Sequence, residues 1–256
     1  MSDKSGSGIV EIVKTVIYAL LIAGVFRTLF FQPFYIPSGS MKDTLLIGDF
    51  LFVNKMAYGY SKYSCPWALC PIPGRILGSD PKRGDVIVFR HPSNGQDFIK
   101  RLIGLPGDTV QVKQGLLYIN GAPVKVDPAG VFEEPYEPQG SSGTPPSCKT
   151  RTGDICQSDR YTETLPEGVS HDILDIRMQA TDNTPVFAVP EGQYFFMGDN
   201  RDNSQDSRIP LDQGGVGFVP KDFLIGRAEI IVFSSGGWSL FFFWKWRPDR
   251  FFEWVG

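Results

Sequence analysis

Two stretches place side chains that can do chemistry within reach of one another: Pro37-Ser38-Gly39-Ser40-Met41, and Phe98-Ile99-Lys100-Arg101 followed by Leu105-Pro106-Gly107-Asp108. Gly39 between two serines permits a sharp turn that presents one hydroxyl outward with its own N–H nearby, the geometry that acyl transfer requires. Ser40 therefore reads as a nucleophile. In the second stretch, period-2 alternation puts Phe98, Lys100 and Leu102 on one strand face and Ile99, Arg101 and Ile103 on the other, so Lys100 sits between apolar side chains. A free lysine, with a pKa near ~10.4, offers only about one neutral amine in a few thousand at pH 7. Desolvation lowers a lysine pKa by up to roughly 3–5 units, which would make Lys100 a usable base.

These segments occur in order with Gly48-Asp49, Arg83-Gly84-Asp85-Val86, Gly104-Leu105-Pro106-Gly107-Asp108, Gly198-Asp199-Asn200-Arg201-Asp202-Asn203-Ser204 and Asp206-Ser207-Arg208. Together they resemble bacterial type I signal peptidases from Phe34 to about Ile231, except for a poorly matched stretch near 127–189. The resemblance implies a membrane-bound serine endopeptidase, needing no metal or cofactor, that removes signal peptides from exported preproteins after small-x-small residues through an acyl-enzyme. It implies Ser40 as nucleophile, Lys100 as base, the Ser40 N–H and Ser38 hydroxyl as oxyanion donors, and Ser204 as the hydroxyl that orients the lysine amine. Phe34, Ile36, Pro37, Met41, Leu45, Phe98 and Ile99 would form shallow apolar substrate pockets. Asp199, Asp202, Asp206, Arg201 and Arg208 read as a structural ion-pair network extending to Arg101.

Composition fits this expectation. With 256 residues, 42% of them hydrophobic, and a net charge of −3, the chain can bury one sizeable core with an insertion, and it lacks the basic footprint of a nucleic-acid binder. Aromatic content of 13%, with 28 glycines and 20 prolines, favours a mainly β fold: an N-terminal transmembrane helix, then a β-rich catalytic body with a smaller inserted β/loop lobe. Cysteines Cys65 with Cys70, and Cys148 with Cys156, fall in Pro/Gly/Ser-rich loops at spacings unsuited to a zinc ribbon. Local disulfides, and with them an oxidising compartment, are the expectation.

The elements that must position the site follow in order. Residues 1–8 read as a cytoplasmic tail and 9–33 as a membrane anchor; the apolar run Thr15 to Ile36, broken by Arg27, would reach about 33 Å as a helix. The alternative is a cleaved secretory signal with Lys4 and Lys14 as its basic region, but Arg27 interrupts it and Ser38-Gly39-Ser40 lies too far downstream for a compact signal. Lys4 and Lys14 are balanced by Arg27, Lys42 and Lys55, so charge does not orient the anchor. The catalytic core is expected over 34–126 and 190–235, with strands at Phe50–Val53, Val86–Phe89, Val110–Val112, Leu116–Ile119, Val124–Val126, Tyr194–Met197 and Leu224–Phe233. A long loop bearing Cys65, Trp67 and Cys70 separates the first two of these strands, and Asn120-Gly121 marks a hairpin. The polar segment 127–189 reads as an inserted lobe without catalytic residues, and His171 within it as a surface side chain. Residues 236–256, where Trp238, Phe241, Phe243, Trp244, Trp246 and Trp254 mix with basic side chains, read as a tail on the membrane surface, swivelling at Gly236-Gly237.

Rival readings start from other residues. His91 is the obvious alternative base for a Ser-His-Asp arrangement, but it lies at a strand end outside every motif quoted above. A tethered binding module that lost its activity would have no reason to keep Ser40 and Lys100 in register, and an SOS-repressor-like autoprotease would want a DNA-binding helical domain that the sequence does not show. The expected partners are preproteins bearing signal peptides, the phospholipid bilayer and the neighbouring export channel, with the body on the periplasmic side of the cell inner membrane.

Overall fold

The computed structural model describes residues 4–65, 68, 70–140, 143–237 and 242–255; Trp67 of the expected cysteine loop and Trp238 and Phe241 of the expected tail lie outside the described residues. The chain is mainly β, preceded by a helix over Lys4–Leu29. From Gly8 to Leu29 this helix is long and apolar enough to cross a membrane and buries nothing against the body, which fits a single-pass anchor.

The helix does not run on to Ile36 as the apolar pattern predicted. It stops at Leu29, and Phe31–Tyr35 becomes a strand paired antiparallel with Asp49–Asn54, Phe34 opposite Leu51. Pro33 explains the division: proline lacks a donor and clashes inside a helix, but is tolerated on an edge strand, which is where Phe31–Tyr35 lies.

The main sheet runs in the order Phe31–Tyr35, Asp49–Asn54, Leu224–Ser234, Val86–Arg90, Asp97–Gly104, Gln193–Met197 and Val219–Pro220, with Glu253–Trp254 also on Leu224–Ser234. The strand bearing Lys100 is thus central, between Val86–Arg90 and Gln193–Met197. Continuous apolar runs such as Val86-Ile87-Val88-Phe89 mark strands covered on both faces. Val86 and Val88 pack with Ile36, Met41, Leu45, Leu51 and Val53, while Ile87 and Phe89 pack with Tyr58, Leu102 and Phe196.

The hairpin Thr109–Lys113 to Leu116–Ile119 turns at Gln114-Gly115, and Leu116–Ile119 folds back onto Ala122–Pro123 through Asn120-Gly121, both at positive φ (52° and 79°), the backbone a two-residue hairpin turn demands. The expected short strand at Val124–Val126 is instead the start of an 11-residue strand, Lys125–Pro135, that leads into the lobe. There it pairs with Ile155–Thr164, which also carries Thr150–Thr152 and Ser170–Asp175. Disulfides join Cys65 to Cys70 and Cys148 to Cys156, with Cα atoms 5.6 and 5.3 Å apart.

Two further expectations are corrected. His171 is not a surface residue but is buried where the lobe meets the body, its Nε2 3.4 Å from Glu163 Oε1 and 3.9 Å from Asp199 Oδ1. The C-terminal segment is not hung on a swivel: Gly236 N–H donates to Lys245 O, Phe252 N–H to Ile231 O, and Arg250 pairs with Asp49 at 2.7 Å. The rings of Trp246 and Phe251 rest on Phe233, with centroids 5.1 and 5.0 Å away, so part of the segment packs on the β body. Phe243, Trp244, Phe252 and Trp254 still face outward.

Candidate active site

Ser40 lies in a turn between the edge strand Phe31–Tyr35 and the strand Asp49–Asn54, and Lys100 reaches it from the centre of the sheet. Lys100 Nζ donates to Ser40 Oγ at 2.5 Å, across 60 positions of sequence, and to the carbonyl of Ile99 at 3.0 Å. Both side chains belong to buried residues. Burial lowers the Lys100 pKa to about 8, against Asp206 and Asp199, which act to raise it. A hydroxyl and a desolvated amine at this separation can exchange a proton.

Asn200 fixes the turn from behind. Its side-chain amide donates to Gly39 O at 3.0 Å and its backbone N–H to Ser40 O at 3.2 Å. Gly198 must be glycine for a neighbouring reason, since a Cβ there would fall 2.5 Å from Ser40 O and 2.3 Å from Ser204 Oγ. Gly39, by contrast, is not in the left-handed region; a Cβ there would press on the Lys42 stem, 3.0 Å from Cε.

The two aspartates that act on Lys100 each carry their own arginine. Arg101, fully buried, grips Asp199 with Nε and Nη2 at 2.9 and 2.8 Å and donates to Gly84 O at 2.8 Å. Thr44 Oγ1 donates to Asp199 Oδ2 at 2.5 Å. Arg208 holds Asp206 at 2.9 Å through Nε and Nη2, and Asp206 accepts Gly198 N–H at 3.0 Å. Burial would raise both carboxyls, but the arginines outweigh it and hold them low. A third pair, Arg201 with Glu163 at 2.6 and 2.9 Å, joins body to lobe and draws Glu163 to about 2 against its burial. His171 stands between the Glu163 and Asp199 pairs, pushed below its ordinary pKa by burial and then by Arg101. Asp202 serves the lobe, accepting the N–H groups of Ile176 and Arg177 at 2.7 and 2.8 Å.

The expected pocket residues divide. Ile36, Met41 and Leu45 are buried in one cluster against which Phe34 and Ile99 pack, directly beside the Ser40 turn, with Pro37 exposed at its edge. Phe98 packs with a second cluster that includes Phe89 and Leu102, on the strand face it shares with Lys100, and its ring centroid lies 5.5 Å from Lys100 Nζ. Ser38 is exposed. Ser204 is buried beside Asp206, whose carboxyl its hydroxyl helps to hold low, and among the described residues its Oγ makes no hydrogen bond to Lys100. His91 is engaged elsewhere: Nδ1 accepts from Ser93 N–H at 3.2 Å, which leaves Nε2–H to donate to Gly215 O at 3.0 Å.

Sequence reasoning missed Thr44, Glu163, His171 and the contacts of Lys42. Glu163 and His171 carry no local signal, because they become neighbours only through the pairing of Ile155–Thr164 with Ser170–Asp175. Asn200 was in view within the Gly198–Ser204 motif, without a task.

Comparison with known proteins bears on the same region. The family described as signal peptidase, peptidase S26, matches residues 9–233. The signal peptidase I of Rickettsia typhi (strain ATCC VR-144 / Wilmington) is 40% identical over 228 residues, 85% of this chain and 78% of the relative. That of Rickettsia canadensis (strain McKiel) is 38% identical over 232 residues, 87% and 79% of the two chains. A crystal structure of a signal peptidase I from Enterococcus faecalis V583 is 33% identical and covers 58% of this chain and 97% of that one; its TM-score of 0.31 is too low for the superposition to carry an argument. With the family matched across residues 9–233 and relatives of this identity covering most of its length, the chain belongs to peptidase S26, the signal peptidase family of serine peptidases.

Proposed function

We propose that the chain cleaves signal peptides from exported preproteins with a Ser40/Lys100 dyad. The observation that carries this reading is the 2.5 Å contact between Lys100 Nζ and Ser40 Oγ in a buried setting that lowers the amine pKa. Neutral Lys100 takes the Ser40 proton, Oγ attacks the scissile carbonyl, and an acyl-enzyme forms as Lys100 protonates the leaving amine; Lys100 then activates water for deacylation. The Ser40 N–H and the Ser38 hydroxyl are the donors we assign to the oxyanion, and removal of one such donor typically costs about 10²–10³ in rate. Ser204, packed against Gly198 beside Ser40 O, is the hydroxyl we assign to orient the amine once its bond to Ser40 is given up.

Phe34, Ile36, Pro37, Met41, Leu45 and Ile99, gathered beside the turn, support a preference for small residues at the third and first positions before the cut. Phe98, on the Lys100 face with its ring centroid 5.5 Å from the amine, is the further wall we assign to this pocket. A methylene or two in such a pocket discriminates by only about 1–3 kcal/mol, so delivery at the membrane must share the selection. The anchor helix leads into the strand that precedes Ser40 within a few residues, which supports action on chains emerging from the bilayer near an export channel. The disulfides support a periplasmic body on the inner membrane, since such short loops stay oxidised outside the cytosol. Cleavage of a preprotein in detergent by the parent, Ser40→Ala and Lys100→Ala tests the dyad: both variants should be inactive yet folded, and near-normal turnover by Lys100→Ala would sink it.

A further inference from the structure

The lobe reaches back to the nucleophile turn through a residue that no motif singled out. Lys42, two positions after Ser40, is buried, and its Nζ donates to both Glu134 oxygens at 2.8 and 2.6 Å and to Gln139 Oε1 at 2.9 Å. Gln139 Nε2 in turn donates to Glu134 Oε2 at 2.8 Å, so the three side chains lock one another. Glu134 comes from the lobe strand Lys125–Pro135, where it lies opposite Cys156. The next residue of the turn, Asp43, is held by Arg160 of the lobe strand Ile155–Thr164 at 3.2 Å.

The Lys42 stem passes under the turn. A Cβ on Gly39 would come within 3.0 Å of Lys42 Cε, and Lys42 N–H donates to Gly39 O at 3.3 Å. Moving the Lys42 ammonium therefore moves the floor on which Gly39 and Ser40 rest. A buried ion pair is a weak source of net stability, because desolvation offsets its Coulombic gain, but its geometry is demanding. Lys42 is no rival base: burial lowers its pKa against the Glu134 carboxylate that favours the ammonium, but its amine is engaged by Glu134 and Gln139, whereas Lys100 Nζ contacts Ser40 Oγ itself.

We propose that Glu134 of the inserted lobe is a positioning residue for the reaction, which by holding Lys42 fixes the Gly39–Ser40 turn at the distance from Lys100 that proton transfer needs. This rests on the reading of Ser40 as nucleophile. The lobe is then part of the catalytic apparatus at one remove, acting on Ser40 and not on substrate. Misplacing a reacting atom by about 1 Å can cost on the order of 10²-fold in rate, so a tie of this kind matters out of proportion to its stability.

The test uses the full-length chain in detergent, with kcat and KM for a preprotein and the melting temperature measured together for Ser40→Ala, Glu134→Gln and the double variant Lys42→Met/Glu134→Leu. The double variant removes the tie without stranding a buried charge, and its kcat should fall about 10–100-fold. Its KM should change by less than about twofold, because the lost interaction acts on the nucleophile and not on ground-state binding. Its melting temperature should stay near the parent's, and Glu134→Gln, which keeps an acceptor for Lys42, should recover most of the rate. A double variant with parental kcat overturns the proposal, as does a loss of rate that a smaller folded fraction accounts for. Substantial cleavage by Ser40→Ala would instead overturn the nucleophile itself, while an inactive Ser40→Ala beside a fully active double variant would remove only the role of the lobe.

Discussion

The backbone N–H of Asn200 donates to the carbonyl of Ser40 at 3.2 Å while its side-chain amide donates to the carbonyl of Gly39 at 3.0 Å. One residue thus clamps two successive peptide groups of the nucleophile turn. Asn200→Ala should keep the backbone clamp and lose the side-chain one, lowering kcat by about 10–100-fold with little change in KM. Single-turnover cleavage of a preprotein checks this; an unchanged rate would show that the turn holds its own shape.

Lys100 supplies the pH dependence. Because its folded pKa, about 8, lies below that of an unfolded lysine, neutral amine accumulates as pH rises through that value, and kcat/KM should rise with it. The same shift sets a sign for stability. Below pH 8 the folded state holds a buried ammonium and bears the whole penalty; between the folded and unfolded pKa values the folded state has lost its proton first, so stability contributed by this group increases with pH across that window. Lys100→Met should therefore be inactive but melt higher than the parent at pH 7, by an amount that shrinks towards pH 10. At roughly 1.36 kcal/mol per pKa unit the relieved penalty is of order 3 kcal/mol, less what is lost with the Ser40 bond. Calorimetry across that range decides it.

Breaking the Arg101–Asp199 pair should be more damaging than deleting it. Asp199→Ala strands a fully buried guanidinium and should cost about 3–5 kcal/mol, whereas a matched apolar replacement of both residues should cost less. Arg101→Lys should not rescue, since a point ammonium cannot reproduce the two-pronged contact with both Asp199 oxygens. Urea unfolding of the variants separates these cases.

The C-terminal segment calls for substitution in place of truncation, because Trp246 and Phe251 pack on Phe233 and Arg250 holds Asp49. Replacing the outward rings Phe243, Trp244 and Trp254 by serine should leave the melting temperature unchanged and weaken binding of the detergent-free body to anionic liposomes. Undiminished liposome binding would remove the membrane-surface role of this segment.

Much of this architecture was legible in the sequence because it is written in local physics. Alternation over Phe98–Ile103 placed Lys100 and Phe98 on one strand face and Ile99 on the other, and the structure keeps that division. Asn120-Gly121 announced its hairpin because two consecutive positive φ angles admit few other residues. The cysteine spacings announced their pairs. Where the local signal was double-edged the reading slipped: an apolar run containing Pro33 fits both a membrane helix and an edge strand until its partner, Asp49–Asn54, is known.

What the sequence by itself determined, then, was which side chains had the chemistry: a serine in a turn, a lysine between apolar neighbours, and acidic and basic residues clustered near Ser204. Only the tertiary structure decided who faces whom. Ser40 and Lys100 are 60 positions apart and meet because the edge strand carrying the turn and the central strand carrying the lysine belong to one curled sheet. His171 read as a surface side chain, and Glu163 and Glu134 drew no reading at all, because composition cannot reveal that a lobe folds back on the body and shields them. Contacts of this kind depend on long-range strand register, where each residue's partner is set by the path of the whole chain, and no local pattern encodes that path.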